Sequence, residues 1–359
     1  MAHPEIDNHT PFAVDMIFPV DEEGRPLVVP IVKATFDVDS RGGLTVAQEQ
    51  VPVDFQGENY GEPGVSSMRL EPDNAFIKPS TDVVLLGHAH APRSHTSMVD
   101  VTFQAGKLGK TVRVWGDRWV AGSVMPDISP AQPFEKMPLT WERAFGGWDR
   151  TPKDEKLHWF DTRNPVGVGF VSKHGKVVEG APLPNLEDPW DPLRVPGGQC
   201  KPAGFGFVSP DWQARAAFSG TYDDEWMASR APLLPRDFNR RFFNSASEGM
   251  TSAGYFLGDE WIQVQGATQE GNWIFQLPRL ENPRCLVCTR FTGDLELATN
   301  LDTVIVDADE GRLLLIWRAH GPIRDGPLDV KTLVVDCANA PSSEANAHGS
   351  GGPSTPGVS

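Results

Sequence analysis

Two histidines in a short apolar run are the first residues whose spacing could support chemistry. His88 and His90 stand at i and i+2, and His95 follows shortly after. In a strand, residues two apart project from the same face, so the pair could bind a metal ion. A zinc site needs three or four converging ligands, and neither an HExxH nor an HxHxD continuation follows. Hydrogen-bonded structural histidines are the better interpretation, and we assign no metal site.

The cysteines invite a comparison with zinc and redox motifs. Cys285 and Cys288 have the CxxC spacing, but a second CxxC or a histidine pair at suitable spacing is missing from the sequence. Residues three apart in a strand point to opposite faces, so shared ligation would require a turn. The chain has 4 cysteines, too few for a disulfide scaffold at this length. We therefore expect reduced thiols, including the single residues Cys200 and Cys337.

Carboxylates beside aromatic side chains point to a third chemistry, glycoside hydrolysis. The groups are Trp148 with Asp149, Asp223-Asp224-Glu225 with Trp226, and Glu187-Asp188. Paired carboxylates about 5 to 10 Å apart can act as general acid and base while a tryptophan stacks on a sugar. A chain with 48 acidic residues and 11 tryptophans also brings such neighbours together by chance. Most such acids cap turns or lie on solvated faces, so we assign no catalytic residue.

Most of these acids and aromatics lie in one stretch, from Pro138 to Asn244. Prolines and glycines interrupt it every few residues, which removes ladder donors and relaxes backbone limits. The stretch is nevertheless too rich in Trp, Phe and Tyr for a disordered segment. It predicts a long, ordered, loop-rich surface, which is where binding residues concentrate.

Segments with β character flank this stretch on both sides. Val99, Val101 and Phe103 alternate with polar residues, which is the period-two pattern of a half-buried strand. The short AGKLG and DADEG links each predict a hairpin. The predicted strands are 25–36, 44–46, 82–90, 98–104, 110–116, 303–306 and 312–317, with further β segments from residue 260 to residue 336.

Two of these strands carry additional information. RLLLIW, from Arg312 to Trp317, is apolar on both faces and should lie centrally in a sheet. Pro30 interrupts RPLVVPIVKATF and indicates an edge strand or a bulge. Together the pattern predicts a mainly β protein, with antiparallel, sandwich-like sheets, long ordered loops and a few short helical turns.

The organisation of the chain follows from the same pattern. No fixed-period repeat is visible, so a propeller or solenoid is not supported. We expect residues 1–337 to form a single β-rich domain, with two abutting β lobes as the alternative. Residues 338–359 lack an aromatic or aliphatic pattern and predict a disordered tail.

Composition limits the partners. The formal net charge is -16, so the long-range field repels nucleic acid and anionic membrane surfaces. The first residues carry no basic region ahead of an apolar one, and no apolar run approaches 18 residues. These features predict a soluble, cytoplasmic protein. With 35 glycines and 32 prolines, the composition also favours a turn-rich β architecture.

One charged pair in the central stretch has helical spacing. Asp237 and Arg241 stand at i and i+4 if PRDFNRRFF forms a short helix, with Phe238 and Phe242 on an adjacent stripe. A packed helical turn is the structural interpretation, and a partner-binding face is the functional one.

A series of short phrases runs through the sequence: NHTPFA (8–13), VKATF (32–36), GEPG (61–64), KPSTDVVLLGHAHAP (78–92), GDRWV (116–120), MPLTWERAFGGWD (137–149), RNPVGVGF (163–170), LPNLEDP, PAGFGF, GTYDDEW, LPRDFNRRFFN and WRA (317–319). In this order the phrases resemble a known family, the bacterial domain-of-unknown-function proteins number twenty-one sixty-nine. The resemblance covers residues 8 to 335, nearly the whole chain apart from the tail.

The resemblance implies a function in type VI secretion. It implies a non-catalytic adaptor, or chaperone, that holds a toxic effector in the producing cytoplasm and helps to load it onto the VgrG or PAAR spike. It implies no catalytic activity and no cofactor. Trp, Tyr and Arg supply the anchors of protein interfaces, so the loops from Trp141 to Asn244 form the candidate contact region. The candidate contacts are Trp148, Asp149, Tyr222, Trp226, Asp237 and Arg241.

Two alternatives stay open at this point. One is a metal-dependent or carbohydrate-active hydrolase that uses His88, His90 and nearby acids. The other makes the central stretch purely structural, with binding through edge strands or the tail. Phrases shared by adaptors of different toxins would then hold the common fold.

Overall fold

The computed structural model describes residues 4–269 and 271–340, and it is mainly β, as predicted. The strands are β1 (Glu5–Asn8), β2 (Ala13–Ile17), β3 (Leu27–Val38), β4 (Leu44–Val46), β5 (Glu58–Asn59), β6 (Met68–Leu70), β7 (Asp82–Leu86), β8 (His88–His90), β9 (Met98–Ala105), β10 (Leu108–Trp115), β11 (Arg118–Ala121), β12 (Asp127–Ile128), β13 (Lys136–Pro138), β14 (Phe145–Gly146), β15 (Trp148–Asp149), β16 (Trp159–Phe160), β17 (Val168–Gly169), β18 (Pro182–Leu183), β19 (Leu186–Glu187), β20 (Trp261–Thr268), β21 (Gly271–Gln276), β22 (Arg284–Thr289), β23 (Leu295–Ala298), β24 (Asn300–Asp307), β25 (Arg312–Arg318), β26 (Gly321–Pro322) and β27 (Val330–Asp336).

Helical structure is limited to short turns in the described part of the chain. The α-helices are α1 (Gln213–Ala216) and α2 (Asp224–Ser229), and the 3-10 helices are Trp141–Arg143, Glu155–Leu157, Arg240–Phe243 and Gly326–Leu328. No helix among residues 4–269 and 271–340 is long and apolar enough to cross a membrane. Of the predicted tail, residues 338–359, all but the first three residues lie outside the described residues.

The largest sheet has seven strands and is built from both halves of the chain. Its order is β2-β3-β25-β24-β7, with β4 and β26 also paired to β3. β24 and β25 form the predicted hairpin, and they insert between β3 on one side and β7 on the other. β25 is buried along nearly its whole length, which confirms the central position predicted from RLLLIW.

β3 corrects one expectation, because it is an interior strand and not an edge strand. Pairing with β25 ends at Ile31, and pairing with β26 begins at Val28. The carbonyl of Pro30 accepts a hydrogen bond from Ala319 N at 3.3 Å, so the missing N–H lies on this same side of the strand. Proline is tolerated because it occupies the gap between two partner strands, where the ladder needs no donor.

Two further sheets complete the scaffold. The five-stranded sheet has the order β19-β10-β9-β20-β21, and β9 and β10 form the predicted hairpin in continuous register from Leu108–Ala105 to Trp115–Met98. The four-stranded sheet has the order β1-β27-β22-β23, and its β1 and β27 are parallel. The first and last described strands are therefore joined.

The seven-stranded sheet is covered on both faces. One face, which includes Val32, contributes to a large core with residues of the other two sheets, such as Phe103, Val287 and Leu333. The other face packs against loop residues, including Phe76 and Phe207. This sandwich-like arrangement explains why the central strands are apolar at consecutive positions, since neither face meets water.

Candidate protein-binding surface

A set of buried ion pairs attaches the loops to the seven-stranded sheet. Lys33 Nζ lies 2.9 Å from Asp73 Oδ2, and the second oxygen of Asp73 lies 3.4 Å from Arg318 Nη2. Arg318 Nη1 also lies 2.5 Å from Asp302 Oδ1. All four side chains are at most 4% exposed. Asp73 therefore fastens the loop after β6 to β3 and β25, because each buried charge needs its partner.

A second group of buried pairs connects the central stretch to the same region. Lys78 Nζ lies 2.9 Å from Asp82 and 3.1 Å from Glu71, and Arg215 Nη2 lies 2.6 Å from Glu71. Burial alone would raise the pKa of Glu71, but the charges of Lys78 and Arg215 outweigh it and lower this pKa to about 2. Asp82 also accepts a hydrogen bond from Ser245 N at 2.8 Å. Helix α1 and the segment near Ser245 are thus held on the scaffold.

Glu187, a candidate acid in the glycosidase interpretation, belongs to a third buried pair. It accepts hydrogen bonds from Arg118 Nη2 at 2.7 Å and from Trp115 Nε1 at 2.9 Å, and it is 1% exposed. The Arg118 guanidinium also lies over the Trp115 ring, 4.8 Å from its centroid. The neighbouring Asp188 accepts from Trp190 N at 2.9 Å and caps a turn. Both acids therefore have structural partners.

Neutral hydrogen bonds and close backbone contacts organise the MPLTWERAFGGWD and RNPVGVGF phrases. Trp141 Nε1 donates to the carbonyl of Phe207 at 2.8 Å, and Asn164 Nδ2 donates to the carbonyl of Trp141 at 2.8 Å. Gly147 has φ +89, and a Cβ there would lie 2.0 Å from the carbonyl oxygen of Gly167. Only glycine fits that position. The MPLTWERAFGGWD phrase thus contributes largely to the interior of the fold, and RNPVGVGF pairs with it.

An exposed aromatic cluster stands on this framework. β15 and β16 pair so that Trp148 lies opposite Phe160, with ring centroids 4.5 Å apart. Trp159 stacks against Phe160 at 6.1 Å, and the Arg150 guanidinium lies 5.3 Å from the Trp148 centroid. Trp148 is 49% exposed and Trp159 is 58% exposed. We call Trp148, Arg150, Trp159 and Phe160 the aromatic hairpin patch.

The aromatic hairpin patch adjoins a small groove of about 180 Å³. Besides Trp148 and Arg150, its mainly apolar lining includes Val120, Phe170, Val171, Val178, Pro182 and Leu183. Exposed aromatics next to a preformed apolar groove are typical of protein-binding surfaces, because large rings bury much area when a partner covers them.

Asp149 supports this patch from inside. Asp149 is 3% exposed, and its carboxylate accepts hydrogen bonds from Thr151 N at 3.0 Å, Thr151 Oγ1 at 2.6 Å and Ser172 N at 2.9 Å. Burial opposes ionisation, but these hydrogen bonds outweigh it and lower the pKa of Asp149. Because the carboxylate is enclosed, Asp149 is better suited to orienting the neighbouring Trp148 than to contacting a partner directly.

Four other candidate residues lie in a second local group, around α2. Tyr222 is 53% exposed and packs edge-on against Trp226, with centroids 4.7 Å apart. Trp226 is half-buried, and its Nε1 donates to the carbonyl of Leu233 at 2.8 Å. Asp223 caps α2 by accepting from Trp226 N at 2.9 Å. Tyr222 is therefore the accessible member of this aromatic pair.

Asp237 and Arg241 do not form the helical pair that their spacing predicts. The 3-10 helix begins only at Arg240, because Asn239 is extended and caps it by accepting from Arg241 N. Asp237 instead accepts hydrogen bonds from Thr221 N at 3.0 Å and Thr221 Oγ1 at 2.7 Å, which lower its pKa. The Arg241 guanidinium lies 4.5 Å from the Phe218 centroid. Hydrogen bonds from Thr221, 16 residues earlier in the chain, thus replace the expected i,i+4 contact.

The histidine and cysteine motifs occupy structural positions. His88 Nδ1 lies 2.5 Å from Asp309 Oδ2. No group of three or more His, Cys, Asp or Glu side chains within residues 4–269 and 271–340 could hold a metal ion. Cys285 is buried on one face of β22, and Cys288 lies on the opposite face, as strand geometry predicts. All four cysteines are free thiols.

Sequence reasoning missed three members of the aromatic hairpin patch, Arg150, Trp159 and Phe160. The signal for the two aromatics is their adjacency in KLHWFDT. A hairpin of two-residue strands has no period long enough to identify, so only the pairing with Trp148 reveals the patch.

Comparison with known proteins identifies the family. No curated protein and no solved structure matches the chain. One family model, described as "Uncharacterized protein conserved in bacteria (DUF2169)", matches residues 23–318, most of the region covered by the shared phrases. Because this match spans far more than half of the chain, the protein belongs to the DUF2169 family.

Proposed function

We propose that this protein is a non-catalytic adaptor of type VI secretion. In this role it binds a secreted effector in the cytoplasm of the producing cell and promotes loading of the effector onto a VgrG or PAAR spike. The resemblance of the ordered phrases supports the class of function. The aromatic hairpin patch is the observation that supports a protein partner.

The rigidity of the patch favours binding. Trp148 follows Gly147, whose backbone is closely packed, and precedes Asp149, whose carboxylate is buried and hydrogen-bonded. Preorganised aromatic side chains lose little conformational entropy when a partner covers them. Arg150, next to Trp148, adds a charged donor, and Trp, Tyr and Arg are the commonest interface anchors.

The net charge of -16 supports a basic effector or a basic segment of one. Complementary long-range charge accelerates encounter more than it tightens the final complex. The association rate should therefore fall as salt is added, whereas dissociation from the aromatic contact should change little.

Purification from the native secretion cluster tests the function. We expect the effector encoded beside this protein's gene to co-purify with it, and a spike protein to join the complex. Absence of any stable effector or spike partner at several salt concentrations would contradict the proposed role.

A pair of variants tests the surface separately. Trp159→Ala should weaken effector binding by about 2 kcal/mol, or roughly 30-fold, the usual cost of truncating an aromatic hot spot. Trp261→Ala is the matched control, because Trp261 is 59% exposed against 58% for Trp159 but lies on β20. Equal losses in both variants, or no loss at Trp159, would show that the effector binds elsewhere.

A further inference from the structure

Lys110 lies on the core face of the five-stranded sheet. It is paired with Phe103 of β9, and it shares its strand face with Val112 and Val114. Phe103 and both valines are fully buried. Lysine is rarely placed on such a face unless a carboxylate neutralises it, as Asp73 does for Lys33.

No such carboxylate neutralises Lys110. Its ammonium donates to Ser247 Oγ at 3.1 Å and to the backbone carbonyl of Glu248 at 3.0 Å, and both acceptors are uncharged. No carboxylate of the described residues lies within 4.0 Å of it. Burial lowers the pKa of Lys110 to about 8, against the weaker opposing influence of the Glu248 and Asp188 charges. An ammonium has three N–H donors, and these bonds use two.

Lys110 lines a cleft of about 420 Å³. The lining also includes Thr102, Gln104 and a second cation, Lys201. Lys201 is 60% exposed and is held only loosely by Glu248, at 3.6 Å. Trp190, which is 77% exposed, forms part of the same lining.

We propose that this cleft binds an acidic peptide segment of a protein partner. Lys110 and Lys201 bind a carboxylate of the segment, and Trp190 packs against an adjacent apolar side chain. An incoming carboxylate supplies the ion pair that Lys110 lacks, and a charge-assisted hydrogen bond in a partly desolvated cleft is stronger than one in water. The cleft has room for more than a single carboxylate, and the exposed indole favours a peptide over a small anion.

This inference does not depend on the adaptor role. The cleft would bind an acidic segment on any partner, and its residues are distinct from the aromatic hairpin patch. Its two lysines are opposed by Glu248 and Asp188, so Glu248 competes with the ligand for Lys201. Removing the Glu248 carboxylate should therefore strengthen binding.

The test uses the full chain and a fluorescent probe peptide, acetyl-Glu-Phe-Glu-Phe-Glu-amide, with a glutamine-for-glutamate peptide as the ligand control. Fluorescence anisotropy should show binding of the glutamate peptide and at least a roughly tenfold weaker affinity for Lys110→Met, the factor for one charge-assisted hydrogen bond. Lys201→Met should also weaken binding. Glu248→Gln should tighten it, and the exposed control Lys173→Met should leave it unchanged.

Two further measurements separate ligand binding from a structural role. Lys110→Met should keep or raise the melting temperature, because it removes an unpaired, partly buried charge. In the wild type, affinity should fall as pH rises through about 8, where Lys110 loses its proton, and the variant should lack this step. Equal binding of the two peptides, displacement by equimolar inorganic phosphate, or an unchanged affinity in both lysine variants would overturn the proposal.

Discussion

Removal of the Lys78 ammonium should strongly destabilise the fold. Lys78 lies between Asp82 and Glu71, at 2.9 Å and 3.1 Å, and its side chain is 1% exposed. Lys78→Met preserves most of the side-chain volume but leaves two buried carboxylates with one fewer cation. Arg215 still pairs with Glu71, so Asp82 bears most of the loss.

The expected cost is about 3–5 kcal/mol, the usual result of removing one partner of a buried ion pair. The lowered pKa of Glu71 accounts for part of this cost. Lys78, Arg215 and Ser245 together lower it from 4.5 to about 2, which is roughly 3 kcal/mol of preference for the ionised form at about 1.4 kcal/mol for each pKa unit, and only the Lys78 share is lost in the variant. Domains are stable by only about 5–15 kcal/mol, so the variant loses a large share of its stability.

Urea unfolding followed by both circular dichroism and tryptophan fluorescence measures this cost. Coincident transitions would show that a single free energy of unfolding describes the protein. Lys173→Met is the control, because Lys173 is exposed and its loss should change the free energy of unfolding by less than about 0.5 kcal/mol. If Lys78→Met also changes the free energy of unfolding by less than about 0.5 kcal/mol, the buried ion pairs do not hold the loops on the seven-stranded sheet.

At acidic pH, the free energies of unfolding of the wild type and Lys78→Met should become more similar. The folded pKa of Glu71 lies below its ordinary 4.5, so its ionised form stabilises the wild type fully above about pH 4.5. That contribution is lost as pH falls towards 2. The variant has less of it to lose, and a constant difference between pH 6 and pH 3 would refute this account.

Three other perturbations have defined outcomes. Gly147→Ala should destabilise the protein by at least about 2 kcal/mol in urea unfolding, because a Cβ at φ +89 would meet the Gly167 carbonyl; wild-type stability would disprove this packing. Iodoacetamide at pH 8 should leave Cys200 and Cys285 unmodified until denaturant is added, since burial raises both thiol pKa values to about 12. Labelling of either cysteine in the native state, detected by mass spectrometry of the peptides, would contradict this. Stability should rise between about pH 8 and pH 10 in the wild type relative to Lys110→Met, because the folded pKa of Lys110 lies below its ordinary 10.5; parallel curves for the two proteins would contradict this.

Local patterns predicted much of the β structure correctly. The alternation around Val101 indicated β9, and the short polar links indicated the hairpins β9–β10 and β24–β25. Pro30 shows the limit of such reasoning. A proline in a strand normally marks an edge, and only the arrangement of β25 and β26 along β3 makes it acceptable inside a sheet.

For the candidate contact residues too, the sequence predicted one part and only the structure showed the rest. Residue type correctly placed aromatics and charges in one loop-rich stretch, but it could not separate exposed from enclosed side chains. Trp148 is half-exposed, whereas the next residue, Asp149, is buried by hydrogen bonds from Thr151 and Ser172. Asp237 is bound by Thr221 instead of Arg241. Ser172 lies 23 residues from Asp149, and Thr221 lies 16 residues from Asp237, so no helical or strand period reports these two partners.

The sequence by itself determined the β class, the turn-rich loops, the acidic charge and the family, because these depend on composition, local periodicity and ordered phrases. Only the tertiary structure decided which residues are buried in the fold and which are exposed. Lys33, Lys78 and Arg318 look like surface charges in the sequence, yet each is buried beside a carboxylate. The physical reason is that these charges lose their water only where strands from both ends of the chain pack together. No local sequence pattern reports that packing.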